Sequence, residues 1–387
     1  MARDLAAMPN TGIQAQICGD AHIANFGGFA SPERTLVFDI NDFDETLTGP
    51  WEWDVKRLAA SLEIAARQNG VPSNKRRRAV KACAVAYQEA MHEFADSGYL
   101  DVWYAQLDTS EIESRWGTRM KSRMRNRIRT AASRGRGHQD AVERLAESKH
   151  GETRFRSAPP LVERIEQLLP PDEAEIYANK LLQNLRNYAA SLSDDRRKVL
   201  ERFVFRDVAR RIVGIGSVGI RTSVVLMTEQ ETAEPLVLQF KEAGPSVLEK
   251  HAGRSPYTHH GRRVVEGQRL MQANSDILLG WARGAGADGV VRDYYVRQLW
   301  DWKIAPDIDA MRPSDLRVLG EMCAWTLARA HARTASRIAI ATYIGLGDRF
   351  ANAVDGFADA YADQNDLDYL ELVAAARSGR VIARSGV

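Results

Sequence analysis

What the chain lacks narrows its class first. It has three cysteines in 387 residues, Cys18, Cys83 and Cys323, with no Cys-x-x-Cys pair. That gives no disulfide framework and fits a reducing compartment. No run of about eighteen apolar residues occurs and no charged-then-apolar leader opens the chain, so neither a membrane span nor a secretory signal is expected. Histidines are scattered, and His259-His260 has no ligand partners at zinc spacing, so no zinc site is assigned. A dominant charge is missing as well. The 53 Lys and Arg nearly balance the 51 Asp and Glu, leaving +2, which argues against a general nucleic-acid binder. What remains is a cytoplasmic globular protein, 44% hydrophobic and long enough for two lobes, each with a core. Neither an internal repeat nor a low-complexity segment is visible.

The pattern along the chain predicts an α+β protein. Residues 12–18 and 35–40 read as short strands flanking the loop that holds Asp20 and Asn25. From about 53 to 203 helical spacing dominates, as in Val55, Leu58, Leu62 and Ala65, and Ser73 is placed to cap a helix running to about Phe94. Strand-like runs follow at 209–214, 222–227 and 236–241, then a helix over 257–273 and a strand over 290–299. After Pro313 the pattern is helical again, with Leu316, Leu319, Cys323, Leu327 and Ala330 on one face. The predicted units are 1–204 (hairpin and helical lobe), 205–303 (a small β-rich lobe) and 304–387 (helices returning to the helical lobe).

Several residues in this framework carry chemistry. Asp20 and Asn25 stand five apart on a short loop, which suits a carboxylate that orients an acceptor proton and an amide oxygen that binds Mg²⁺. The same pair also fits Asp and Asn making turn hydrogen bonds beside glycines. His22, between them, is expected chiefly to shape the loop. A second metal ligand is expected from the acidic run: Asp39, at the end of an apolar strand, is favoured, with Asp42 close behind and Asp44 possible by position. Asp39, Asp42, Asp44 and Glu45 would repel one another unless a cation or arginine sits among them, and an exposed acidic turn is the alternative. Asp54 starts the next helix, where it can cap it or bind amides of the catalytic loop.

Later in the chain, Gly214-Ile-Gly216-Ser217-Val-Gly219 lies between strand-like stretches, not before the helix a dinucleotide fingerprint requires. A strand–glycine loop–strand hairpin is a phosphate-covering arrangement. Lys241 ends a following strand, where its ammonium could meet phosphates. Glu266 is the expected partner of that lysine, with Glu249 as runner-up. The basic stretch 115–136 reads as one solvated helix face more readily than as a nucleic-acid patch.

These motifs resemble a known group. Gly19-Asp20-Ala-His22-Ile-Ala-Asn25 resembles the catalytic loop of aminoglycoside-phosphotransferase and choline-kinase-like enzymes. Val37-Phe38-Asp39 resembles their metal-binding strand end, and Gly49-Pro-Trp-Glu-Trp-Asp54 their next helix start. With Asn41-Asp-Phe-Asp-Glu45-Thr and Tyr361-Ala-Asp-Gln364, the whole chain resembles an uncharacterised bacterial family, domain of unknown function 2252, associated with the protein-kinase-like superfamily. The resemblance implies a bilobal kinase-like fold in circularly permuted order, because the catalytic-loop motif comes first and the glycine loop some two hundred residues later. Residues 297–303 would be its hinge, and 319–331 the helix that ordinarily precedes the catalytic loop. The implied activity is an ATP- and Mg²⁺-dependent phosphotransferase acting on a small hydroxylated acceptor. Asp20, with His22 beside it, would be catalytic, and Asn25, Asp39 and Asp42 would hold metal. Gly214, Gly216, Ser217, Gly219, Lys241 and Glu266 would serve the nucleotide. An ATP-binding pseudokinase without turnover and a metallophosphoesterase are the competing readings. Family members are expected to carry additional residues before the segment resembling Met1–Ala6, which would leave one wall of the site short here.

Overall fold

In the computed structural model, which describes residues 1–134, 142, 145–149, 152–211, 222–286, 288–299 and 304–382, the first fifty residues make two strand pairs. Helix α1 (Ala2–Ala6) is followed by strands β1 (Gln14–Ile17), β2 (Phe26–Ala30), β3 (Leu36–Ile40) and β4 (Leu47–Pro50). β1 pairs with β4 and β2 with β3, all antiparallel. The first and third were legible; β2 (Phe-Gly-Gly-Phe-Ala) and β4 (Leu-Thr-Gly-Pro) were not, because glycine and proline depress strand propensity. Glycine is needed at Gly27: a Cβ there would stand 2.5 Å from the Ile304 carbonyl oxygen.

Helices α2 (Glu52–Gln68), α3 (Ser73–Asp96), α4 (Tyr99–Tyr104), α5 (Thr109–Trp116) and α6 (Ser122–Arg134) follow. Next come β5 (Ala146–Lys149), β6 (Glu152–Phe155), β7 (Val162–Arg164), α7 (Ile165–Leu168), α8 (Pro171–Ala189) and α9 (Asp194–Leu200), then β8 (Phe203–Arg211), β9 (Thr222–Glu229) and β10 (Pro235–Glu242). The chain continues through α10 (Glu249–Ala252), α11 (His260–Met271), β11 (Gly280–Ala285) and β12 (Val291–Gln298). It ends in α12 (Pro313–Thr334), α13 (Arg337–Ile344) and α14 (Arg349–Arg377). The fold is therefore mixed α+β. No helix among the described residues is long and apolar enough to cross a membrane.

A six-stranded antiparallel sheet runs in the order β11-β12-β10-β9-β8-β7. Its strands alternate between two apolar clusters. Val225, Met227, Leu236, Leu238 and Phe240 pack with Leu181, Leu185 and Tyr188 of α8, while Val224, Leu226 and Val237 pack with Phe155 and Val162. This alternation is the period-two signature of strands buried on both faces. It also corrects the expected boundary at 204/205: β7, α7, α8 and α9 belong with the sheet. The strands β5 and β6 (Ala-Glu-Ser-Lys and Glu-Thr-Arg-Phe) carry no alternation that would have announced the change.

Helix α12 is buried on nearly every side, as its continuous run of Leu, Met, Cys, Trp and Ala requires. Four ionisable residues are buried with it, and each is met by a different element. Glu321 accepts from the Trp116 indole (2.9 Å) and pairs with Arg317 and Arg119. His331 meets Tyr87 (2.9 Å) and Asp54 (3.4 Å). Arg333 donates to the Gln272 carbonyl and lies 3.8 Å over the Trp103 ring. The Nη2 of Arg329 donates to both carboxylate oxygens of Asp39 (2.8 Å each) and to the Met271 carbonyl (2.8 Å).

Two further links tie the sheet to the helices. Val264, Val265 and Met271 of α11 share one apolar cluster with the hairpin and with α2, α3 and α12. Beyond β12, Ile304 exchanges backbone hydrogen bonds with Gly28 (2.9 and 2.8 Å), so the chain leaves the sheet onto the hairpin. Of the predicted hinge, 297–299 finish the strand region and 300–303 lie outside the described residues.

Arg329→Met should destabilise the protein by about 3–5 kcal/mol, because Asp39 would keep a buried charge without its cation. Adding Asp39→Asn should recover part of that loss. Urea unfolding of the two variants checks this; a single variant within about 1 kcal/mol of wild type would contradict it.

Candidate active site

The loop between β1 and β2 is held from behind. Gly19 sits at φ +83°, a left-handed conformation that glycine adopts without strain, and a Cβ there would meet the Glu45 carbonyl oxygen at 2.6 Å. Asp54, at the start of α2, accepts from the backbone amides of Cys18 (2.8 Å) and Gly19 (3.0 Å). The Ile23 amide donates to Ser61 (3.1 Å), and Asn25 Nδ2 donates to the Asp20 carbonyl (2.8 Å). The loop is thus fixed by its own amide and by α2, and Asn25 Oδ1 has no donor among the described residues.

Asp20 is presented from this frame with its side chain 40% exposed. Its Oδ1 accepts from Arg57 Nε (2.7 Å), and its Oδ2 lies 3.5 Å from His22 Nε2. Burial holds the His22 imidazole below its usual pKa; Asp20 works against that and Arg57 with it. Arg57 was not singled out in the sequence. It stands three residues after Asp54, so the same helical turn that clamps the loop also delivers a guanidinium to Asp20.

The second acidic group lies across the open end of the β2–β3 hairpin. Phe26 is opposite Ile40, and the Asn41 amide donates to the Asn25 carbonyl (2.8 Å), so the residues after β3 emerge beside Asn25. Lys241 of β10 reaches this point from 197 residues away and pairs with Asp44 Oδ2. It also lies 3.9 Å from Asp42 Oδ2. Tyr295 of β12, opposite Lys241 in the sheet, donates to Asp44 Oδ1 (2.8 Å). Burial, then Asp42, raises the Asp44 pKa against the lowering effect of Lys241 and Tyr295. The cation that sequence reasoning required among these carboxylates is Lys241.

Arginines complete the surroundings. Arg263 of α11 donates to the carbonyls of Thr46 (2.7 Å), Asp44 (2.7 Å) and Gly244 (3.0 Å), which locks the acidic loop to the sheet unit. Arg297 donates to the Asn41 carbonyl (3.1 Å) and to Gln239 (3.1 Å). Burial and the neighbouring Arg297 pull the Arg211 guanidinium down to about 10. Arg211 ends β8, immediately before the segment that carries the glycine motif.

Three expectations change. Asp39 does not join the open end of the hairpin: it is 1% exposed, and its oxygens are taken by Arg329, by the Ala273 amide (2.8 Å) and by its neighbour's amide (2.9 Å). Asp42, by contrast, is 36% exposed and lies 3.9 Å from Lys241. Glu266 does not meet Lys241 but faces Arg262 (3.7 Å) and Arg269 (3.8 Å), its i−4 and i+3 neighbours on α11. Glu249 lies 4.0 Å from His260 instead. Gly214, Gly216, Ser217 and Gly219 fall outside the described residues; the strands on either side of them, β8 and β9, are antiparallel neighbours. The basic stretch is not one helix face: it is divided between the end of α5, a turn and α6, and Arg115, Arg119, Arg125 and Arg129 pair with Glu93, Glu321 and Glu113.

Among the described residues, no group of three or more His, Cys, Asp or Glu side chains is arranged to hold a metal. The arrangement instead sets two acidic groups, one around Asp20 and one around Asp42 and Asp44, on either side of Asn25, with a buried lysine closing the second.

The chain belongs to the family described as uncharacterized protein conserved in bacteria (DUF2252), whose sequence profile matches residues 1–375. No curated protein and no solved structure matches it.

The His22 environment gives a pH prediction. As pH falls below about 6.5, the unfolded chain takes up a proton that folded His22 resists, so stability drops with pH. His22→Asn should flatten that decline between about pH 8 and pH 5. Denaturant midpoints across the range test this, and parallel curves for the two proteins would exclude it.

Proposed function

We propose that the protein is a phosphotransferase of kinase-like plan that uses ATP and Mg²⁺, with Asp20 on the acceptor side and Asn25, Asp42 and Lys241 on the phosphate side. The observation that carries this reading is the approach of Lys241 to Asp42 and Asp44 across 197 residues of sequence. Such a lysine on the strand after a glycine-motif hairpin, facing a metal-binding carboxylate near a catalytic loop, is the working arrangement of kinases. The order of parts supports it: β8 and β9 flank the glycine motif, β10 carries Lys241, α11 follows, and β11 and β12 complete the sheet.

The residues fit Mg²⁺ brought in by a nucleotide better than a preformed metal cage. Mg²⁺ takes one or two protein carboxylates, keeps waters and binds substrate phosphates; Asp42 and the Asn25 amide oxygen meet that demand. Bound Mg-ATP would supply the transferable phosphoryl group and neutralise its developing charge. Asp20 would orient the acceptor hydroxyl and accept its proton, held in position by Arg57. Lys241 would share its ammonium between Asp44 and phosphate oxygens, and Arg297 and Arg211 would add positive potential to that wall. Asp44 takes the lysine-holding role assigned to Glu266 in the sequence. The acceptor in this reading is a small hydroxylated molecule.

The permuted order also has structural support. Tyr361 of α14 donates to Asp4 of α1 (2.8 Å), and α12, late in the chain, contacts β1, β3 and the loop between β1 and β2. Joining the end of α14 to α1 and opening the chain before β7 would place the sheet unit first.

A second reading, an ATP-binding pseudokinase, is favoured by one fact: Asp20 is already paired with Arg57, and Lys241 with Asp44. The metallophosphoesterase ranks below both, since it leaves Lys241 without a role and needs more ligands than the site offers.

Mg-ATP at a hundredfold its dissociation constant should add about 2.7 kcal/mol of stability, read as a rise in melting temperature. Asp20→Asn should keep that shift and lose ATP consumption on the metabolite panel that activates the wild type. Absence of any Mg-ATP shift counts against both nucleotide readings; a shift without wild-type turnover favours the pseudokinase; a shift with Mn²⁺ alone favours the hydrolase.

A further inference from the structure

Behind the β2–β3 hairpin, away from Asp20, Asp42 and Lys241, lies a cavity of about 270 Å³ bounded by the hairpin, α6, α12 and the segment after Ile304. Its wall is mainly apolar, with Phe38, Met124, Ile128, Met311, Leu319 and Met322. Three flexible methionines give a surface that adapts to an irregular or mobile guest. The volume is near the lower end of small-molecule sites, roughly 300 Å³.

The charges at this cavity are unlike those elsewhere on the basic stretch. Arg115, Arg119, Arg125 and Arg129 are each ion-paired. Of the basic residues lining the cavity, only Arg127 has a carboxylate partner among the described residues, Asp307 at 3.9 Å. Lys121, Arg123 and Arg312 have none there, and all three are exposed. Once Asp307 is matched, Asp315 is the one acidic residue on the described lining that opposes them. Unpaired cations are therefore gathered beside an apolar hole.

We propose that this cavity binds an amphipathic anion, an aliphatic chain ending in a carboxylate, with the chain inside and the head group against Lys121, Arg123 and Arg312. The apolar wall supplies affinity that grows with chain length, and the cations select the sign of the head group. The inference is independent of the phosphotransferase reading, because the cavity shares none of the residues used there.

Calorimetric titration of the full chain, stripped of lipid and kept below micelle-forming concentrations, tests it with octanoate, decanoate and dodecanoate as probes. Decanol and decyltrimethylammonium serve as head-group controls. Each added methylene should tighten binding by up to roughly fourfold until the cavity is filled. Decanoate should bind at least tenfold more tightly than decyltrimethylammonium. The double substitution Lys121→Glu/Arg123→Glu should remove that preference while leaving decanol binding unchanged; both residues are exposed and unpaired, so the fold should be unaffected. Ile128→Trp should block all chain binding. No binding of any carboxylate, equal binding of decanoate and the cationic control, or decanoate binding untouched by both variants would each overturn the proposal.

Discussion

The buried pair between Asp39 and Arg329 is the contact on which the arrangement of the molecule depends. One guanidinium on α12 holds a carboxylate at the end of β3 and the carbonyl of Met271 at the end of α11. The same carboxylate accepts from the Ala273 amide just past α11. Three elements distant in sequence therefore meet at one pair of charges, and none of the three can slide without leaving a charge buried and unmatched. Desolvation makes such a pair a weak source of net stability, but loss of one partner is severe. Its effect is to fix register. With β3 and α11 indexed to each other, the residues following β3 are delivered to the sheet unit, where Lys241 meets Asp44.

The rest of α12 follows the same logic. Glu321, His331 and Arg333 each find a partner on a separate element, so a helix whose apolar surface could pack in several rotations has one that satisfies all its charges. The His331 contact runs through Asp54 to the amides of Cys18 and Gly19. Through it, the core helix also sets the position of the loop that displays Asp20. Core and site are thus joined through two buried side chains, His331 and Asp54, the second of which accepts from the loop's backbone amides.

Local pattern made some of this legible. The long helices, the strands β9, β10 and β12, the Asp20–Asn25 loop and the supporting place of Asp54 all follow from periodicity, turn residues and capping chemistry within a few residues. The choice between Asp39 and Asp42 did not, because it turns on a partner 290 residues away. A carboxylate ending an apolar strand looks the same in sequence whether it faces an open end or a buried guanidinium. Glu266 misled for a related reason. It lies on the helix after Lys241, but that helix buries Val264, Val265, Gln268 and Met271, and Glu266 faces its own arginines instead. The sheet boundary was missed where short polar strands and a helix join a sheet whose other strands come later.

The acidic loop concentrates charge that the fold must balance. Burial first, and then the neighbouring Asp42, raises the cost of ionising Asp44. Lys241 and Tyr295 hold that charge in check, so the lysine is not a spare cation awaiting a ligand. Any phosphate that approaches must offer its own cation in return, or compete with Asp44 for the ammonium. Under the proposed function a metal-bound triphosphate would meet this condition, bringing positive charge to Asp42 while presenting oxygens to Lys241. A bare phosphate would not. In the proposed phosphotransferase, the same pairing would favour the metal-bound form of a nucleotide over the free one, through electrostatics alone.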